Sequence, residues 1–362
     1  MKKDFVNVIF ETTFMPFDGY YSPIENSRMN KTKFWLIVIA LLTLAACKKD
    51  PLRINVSEIK ATVHVTRFEK ELFSVDPSAL EKYIPQWKKE FGIFFQHFSY
   101  IVKLGDIDDP GYAERLRQFV TDHSNYLIYN RTLQVFPDLD TFTTELNGAF
   151  RHYRYYFPDK PIPRVITYVS GFNQSAITDD SLLAVGLDKY LGKHEKLYAQ
   201  IGIYSYLMVN MRPKKLVSDC MQFWGETEFP FNDSINNLIT NMIFQGRLLY
   251  FTHAMLPEQP DSLNWGFTKK NLSYFNTAEK SMWAYLVEKK LLFNTDRFTI
   301  DKFILEGPFT KDFGRDSPAR AAIWIGYRIV QSYMLRNPGT TFQKLMEEKN
   351  YLKILNLSAY NP

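Results

Sequence analysis

The residues best suited to acid–base work or metal ligation in this 362-residue chain are six histidines, His64, His97, His123, His152, His194 and His253, and no two of them stand four apart. A helical zinc site of the H-E-x-x-H kind needs two imidazoles on one face with a glutamate beside them. His194 and Glu195 begin that pattern, but Tyr198 fills the place of the second imidazole and Gly192 signals a turn, so the segment reads as a surface turn. There is no G-x-S-x-G nucleophile elbow, no S-x-x-K in a penicillin-binding setting and no glycine loop suited to phosphates. Cys220, between Asp219 and Met221, has no histidine near it in sequence to lower its pKa and reads as a small buried hydrophobe. Asp179 and Asp180 read as a solvated turn. This inventory points away from an enzyme and calls for no cofactor and no metal.

The elements that would position these residues are mostly helical. From Pro51 to about Phe73 the text reads as strand-like, with IKATVHVTRFEKELF (Ile59 to Phe73) alternating apolar and polar residues over much of its length. Asp76 followed by Pro77 is an N-cap with proline at the first helical position. Helices are expected near 86–102, 112–126 and 143–156, with Phe91, Phe94, Phe95 and Phe98 forming a stripe that faces a core. After the break at Pro158 to Pro163, RVITYVS (Arg164 to Ser170) and SLLAVGL (Ser181 to Leu187) read as buried strands. From Glu195 onward helices are expected at 195–211, 213–224, 233–255, 277–290, 299–305, 318–335 and 341–349, with Ser317–Pro318 and Thr340 with Gln343 as start signals. No repeat or linker divides the remainder. The expected fold class is α+β, mostly helical with a small sheet, in a single domain from residue 47 to residue 362.

Composition narrows the class further. With 46% hydrophobic residues and 2 cysteines the chain is neither disordered nor a disulfide scaffold, and its 30 Phe, 22 Tyr and 6 Trp must fill a core or line a groove. The formal charge of +5 comes from scattered Lys and Arg, which argues against a nucleic-acid partner and suits a protein near an anionic surface. Phe34 to Ala46, FWLIVIALLTLAA, follows Lys31 and Lys33 and is too short to span a bilayer, which takes about 20 helical residues. It has the form of a secretory leader. The tail Leu44-Ala45-Ala46-Cys47 resembles the lipobox of bacterial lipoproteins, in which the cysteine is acylated and becomes the first residue. Residues 1–46 are then an N-terminal extension and signal peptide, with Met29 the expected start. Cys47 is the expected lipid attachment point, and Cys220 has no partner for an intrachain disulfide. Acyl chains at Cys47 would anchor the protein without a transmembrane helix.

Several segments together resemble the gliding-motility lipoprotein GldB family of Bacteroidota. They are the lipobox, RFEKELFSVD (Arg67 to Asp76), GLDKYLG (Gly186 to Gly192), MRPKKLVSD (Met211 to Asp219), IFQGRLLYF with AMLP (Ile243 to Pro257), and SPARAAIWIGYRIVQSYM (Ser317 to Met334). The order strand, edge strand, helix, helix is also similar to the core of gluzincin-type (zincin-like) metallopeptidases. In active members a helix reading L-A-H-E-x-x-H precedes one bearing E-G. The matching text here implies Ser218 and Gln222 in place of the two histidines, Asp219 in place of the general base, and Gln245 in place of the third ligand. Hydroxyl and amide groups are poor ligands for zinc, so the resemblance implies a scaffold that has lost its metal site, with the strand Leu182 to Leu187 bordering the remaining groove. It further implies a non-enzymatic component of gliding motility, anchored at the outer membrane and working with other envelope motility or secretion proteins. Two alternatives stay open: a metal-dependent peptidase with an unrecognised site, and a glycan-binding lipoprotein that would expose Trp87, Trp224, Trp265, Trp283 or Trp324.

Overall fold

Apolar runs with no polar interruption make strands that are covered on both faces, and two such runs form the centre of the sheet. The computed structural model describes residues 50–362, and Pro51–Pro362 form one compact unit. Cys47 and the expected leader lie outside the described residues. Strand β1 (Val65–Arg67) leads into helices α1 (Phe68–Ser74), α2 (Leu80–Phe91), α3 (Ile93–Ile101), α4 (Tyr112–Thr121), α5 (His123–Val135) and α6 (Asp140–Tyr156). Strands β2 (Arg164–Tyr168), β3 (Ala176–Asp179) and β4 (Leu182–Gly186) follow. The remainder is helical: α7 (Lys196–Gln200), α8 (Ser205–Met208), α9 (Leu216–Glu228), α10 (Leu238–Met255), α11 (Asp261–Asn264), α12 (Lys269–Glu288), α13 (Arg297–Ile304), α14 (Ala321–Arg336), α15 (Phe342–Glu347) and α16 (Tyr351–Ser358). The α+β class, mostly helical with a small sheet, is therefore as expected.

The sheet has four strands in the order β1-β2-β4-β3; β1, β2 and β4 are parallel, and β3 is an antiparallel edge. Side chains alternate across a strand, and here the alternation divides the core in two. Ile166, Tyr168, Ile177, Leu182 and Ala184 face the aromatic helices α1 to α4. Val165, Leu183 and Val185 face the opposite layer with α6, α9, α10 and α14. Phe68 centres the first layer, with its ring 5.0 to 6.0 Å from those of Trp87, Phe91, Phe94, Phe95 and Phe98. In the second layer α10 is buried almost all round and crosses α14 where Gly246 meets Gly326. A Cβ on Gly326 would fall 1.7 Å from the Met242 carbonyl oxygen, so the two backbones touch.

Several local expectations are corrected. The strand-like stretch expected from Pro51 to Phe73 holds only the strand Val65–Arg67, since residues 51–64 form no strand and α1 starts at Phe68. There Glu69, fully buried, accepts from Thr167 Oγ1 at 2.7 Å and pairs with Arg67 Nε at 2.6 Å, tying the strand–helix junction to β2. The helix expected at 86–102 breaks at Gly92, whose φ of +51° favours glycine. The connection between the two central strands holds β3, which its lone apolar Ile177 did not signal. The helix expected at 195–211 is split by Gly202 at φ +80°. The start expected at Ser317–Pro318 lies at Ala321, and the cap expected at Thr340 is Thr341, which accepts from the Lys344 amide. Asp76 caps the turn Pro77–Ala79 as expected.

Candidate functional site

Helix α9 carries three of the four positions singled out from the sequence. It starts from a 3-10 turn at Pro213–Lys215, and Leu216, Val217, Cys220, Met221 and Trp224 pack it into the core. Ser218, Asp219 and Gln222 are spaced to lie along one side of it. The group that organises them is Lys215, only 3% exposed. Its Nζ donates to Ser218 Oγ at 3.0 Å, to Asp219 Oδ1 at 2.5 Å and to the Asn264 carbonyl at 3.2 Å, which uses all the protons of the ammonium. Tyr190 donates its hydroxyl to the other oxygen of Asp219 at 3.0 Å. Burial, followed by the Asp219 charge, pushes the Tyr190 hydroxyl well above its ordinary pKa, so it stays a donor. Ser218 returns a bond to the Lys215 carbonyl at 2.9 Å.

Ser218 and Asp219 are thus brought together, by a cation that stands between them. Gln222 lies one turn further along α9, half-buried, and Gln245 lies half-buried on α10. Among the described residues neither glutamine hydrogen-bonds to Ser218, to Asp219 or to the other. The glycine after Gln245 has a purpose of its own, the contact of Gly246 with Gly326. No group of three or more His, Cys, Asp or Glu is gathered as a metal site among the described residues. Cys220 is fully buried and free, and burial pushes its thiol up, so it is held as a thiol rather than a nucleophile.

Sequence reasoning missed Lys215, although the i, i+3, i+4 spacing of Lys215, Ser218 and Asp219 was its available signal. It also missed Asp188, the central residue of the GLDKYLG segment. Asp188 is fully buried, and its Oδ2 accepts from the Ser170 amide at 3.0 Å and the Phe172 amide at 2.7 Å, while Oδ1 has no partner. Burial raises its carboxyl to about 6 against the pull of those two amides. This carboxylate holds the turn after β2, where Gly171 and Phe172 both take positive φ, at 69° and 66°. Lys189 donates to the Phe172 carbonyl at 3.2 Å. Tyr198, in the place of the absent histidine, is a buried pin that donates to the Asp188 carbonyl at 2.7 Å and accepts from the Leu191 amide at 2.8 Å. Glu195 caps α7 and pairs with Arg131 at 2.7 Å. The segment is a turn, and its residues carry structure. Asp180 lies in the two-residue β3–β4 turn with Ser181, whereas Asp179, also exposed, is the last residue of β3 and pairs with Leu182.

Beside these pins lies a groove of 570 Å³, lined by the approach to β3 (Asn173, Gln174 and Ser175), by Ala176 and Thr178 of β3, by Lys189, and by Phe223, Glu226 and Thr227 of α9. Its wall is fastened where Thr227 Oγ1 donates to Thr178 Oγ1 at 2.8 Å. The strand bordering the groove is β3 and not β4, since β4 is an inner strand. Of the five tryptophans that could have formed a sugar-stacking face, Trp87, Trp224, Trp265 and Trp324 are buried and Trp283 is half-buried against Tyr360. That removes the motive for a glycan-binding reading.

Fold and site define an α+β protein whose small mixed sheet is enclosed by helices, with a polar cluster built around a buried lysine and a groove open along one sheet edge. The family model for the gliding motility protein GldB matches residues 49–362, and the chain belongs to that family. The family is one of gliding-motility lipoproteins, consistent with a place in the cell envelope. No curated protein and no solved structure matches the chain. No helix among the described residues is long and apolar enough to cross a membrane.

Proposed function

We propose that the protein is a non-catalytic accessory of gliding motility, held at the outer membrane by acyl chains on Cys47 and working with other envelope motility or secretion proteins. The observation that carries the non-catalytic part is the Lys215 ammonium. It saturates Ser218 and one oxygen of Asp219 while Tyr190 takes the other oxygen. A positive charge fixed on these two residues repels a dication, and a carboxylate with both oxygens already hydrogen-bonded is not free to hold a metal or a water. Descent from a gluzincin-like scaffold is supported by the order of elements: parallel β2 and β4, the antiparallel edge β3, then α9 and α10, with α9 packed against both β3 and β4. The positions Ser218, Asp219, Gln222 and Gln245 are, on this reading, the remnants of a metal site.

Elemental analysis of the purified full chain tests the non-catalytic part. The expected zinc content is well short of one equivalent, and near-stoichiometric zinc retained through dialysis would overturn it. Deletion scored for surface motility, complemented by a Cys47→Ala version, tests the anchor. Full rescue by the unacylated form would remove the anchor from the mechanism.

A further inference from the structure

Arg247 stands near the middle of α10 and is only 2% exposed, yet among the described residues it forms no ion pair with a carboxylate. Its Nη1 donates to the Glu348 carbonyl at 2.6 Å and to the Leu345 carbonyl at 3.3 Å, at the end of α15. That leaves the edge made by Nε and Nη2. Nε is enclosed without a partner, and the polar side chain beside the group is the neutral Tyr351 hydroxyl. The guanidinium carbon lies over the rings of Tyr351 and Phe244, at 5.3 and 5.9 Å. Carbonyl dipoles and ring faces soften a buried positive charge without neutralising it.

Arg247 lines a pocket of 250 Å³ together with Phe229, Pro230, Met346 and Tyr351, and Lys160 and Lys349 add two more cations. Three glutamates line it as well, and each is engaged. Glu228 pairs with Lys160 and Glu348 with Lys353, both at 2.6 Å, and Glu347 accepts from the Gln343 amide at 2.9 Å. Lys353 comes from outside the lining, so the cations around the pocket outnumber the carboxylates by one.

We infer that this pocket binds a monoanionic carboxylate, seated on the Arg247 guanidinium with its hydrocarbon part against Phe229, Pro230 and Met346. One edge of a guanidinium matches the two oxygens of a carboxylate, and a single negative charge balances the single surplus cation. A dianion such as phosphate would bring a second charge among three glutamates, and the apolar walls offer its remaining oxygens no donors. The same chemistry comes as a free short-chain acid or as the terminal carboxylate of a polypeptide. The pocket shares no lining residue with the groove along β3. Carboxylate binding here is independent of the non-catalytic reading and of acylation at Cys47.

Saturation-transfer NMR on the full chain in detergent tests this by titration with butanoate, butanamide, inorganic phosphate, and a tripeptide ending in valine as free acid and as amide. Butanoate should bind saturably with a Kd of about 1 mM or tighter, and butanamide about tenfold more weakly or less. Arg247→Lys keeps the charge and loses the planar fork, so it should weaken butanoate about tenfold. Where circular dichroism shows that this variant does not fold, Lys349→Glu, at an exposed lining residue, should weaken butanoate several-fold. A guanidinium that only caps the end of α15 predicts no saturable binding. The inference is overturned if neither butanoate nor the free-acid tripeptide binds saturably, if the amides bind equally well, or if equimolar phosphate displaces butanoate. Undiminished binding by folded Arg247→Lys, or in its place by Lys349→Glu, would overturn it too. Tighter binding of the free-acid tripeptide than of butanoate supports a polypeptide C-terminus as the source, and the reverse order supports a free acid.

Discussion

Replacing Lys215 with methionine keeps an unbranched side chain one atom shorter and removes its charge, so it tests what the ammonium does. The wild-type ammonium makes three charge-assisted bonds, to Asp219 and to the neutral oxygens of Ser218 and Asn264, each worth about 1.5–3 kcal/mol before the cost of burying the charge is set against them. In the variant Asp219 keeps only the Tyr190 hydroxyl. Its side chain is 20% exposed, so water relieves part of the unpaired charge. Methionine recovers some stability by burying a methyl group at a site that is almost closed to solvent. The net expectation is a loss of about 3 kcal/mol, the lower end of what removing one partner of a buried ion pair costs. Urea denaturation of the wild type, Lys215→Met, Asp219→Asn and the double variant forms a cycle that isolates the pair, with an expected coupling of about 2 kcal/mol. A loss below about 1 kcal/mol, or a coupling near zero, would show that the lysine does not organise this cluster. The argument that it stands where a metal would otherwise be held would fall with it.

Three further outcomes follow from the same geometry. Gly326→Ala forces α10 and α14 apart, because its Cβ would lie 1.7 Å from a backbone oxygen that cannot move alone. A loss above about 3 kcal/mol in urea unfolding is expected, whereas Gly225→Ala, which meets side-chain atoms of Phe251 at 2.7 Å and no backbone, should cost less; equal costs would contradict the close crossing. Phe68→Ala empties the centre of a ring cluster and should cost about 3–5 kcal/mol, so a near-neutral result by calorimetry would show that the rings repack. Asp188 gives a pH signature. Its folded pKa, raised to about 6, lies above the ordinary 3.8, so the folded state holds the proton more tightly. Its contribution to stability is full below about pH 4 and is lost as pH rises through about 6, a change of about 3 kcal/mol. Relative to the wild type, Asp188→Asn should therefore gain stability across that window, and a pH-independent difference in urea midpoints from pH 4 to 7 would refute the assignment.

Much of the fold was legible because it rests on local pattern. The runs RVITYVS and SLLAVGL were legible as buried strands, since short, mostly apolar text rich in Val, Ile and Leu and bounded by Pro163, Gly171 and Gly186 suits a strand covered on both faces. Phe94, Phe95 and Phe98 had to face a core, because helical spacing puts them on one stripe. A helix over 213–224 was legible from pattern, but the choice of Ser218, Asp219 and Gln222 on it came from the resemblance to gluzincin-type metallopeptidases. Edge strand β3 was not legible, because a four-residue strand with one buried side chain draws its pairing from β4 and not from its own composition.

By its own residues, then, the chain determines a mostly helical α+β domain, an apolar run that ends just before Cys47, the lack of a paired-imidazole motif and its membership of a gliding-motility family. Each is written in residue type and near-neighbour spacing. Tertiary structure alone decides that Lys215 is buried against Ser218, Asp219 and Asn264, that Tyr190 reaches Asp219 across 29 positions, and that Gly246 meets Gly326. A hydrogen bond or a close approach depends on atoms brought together from distant parts of the chain, and local pattern does not encode that distance.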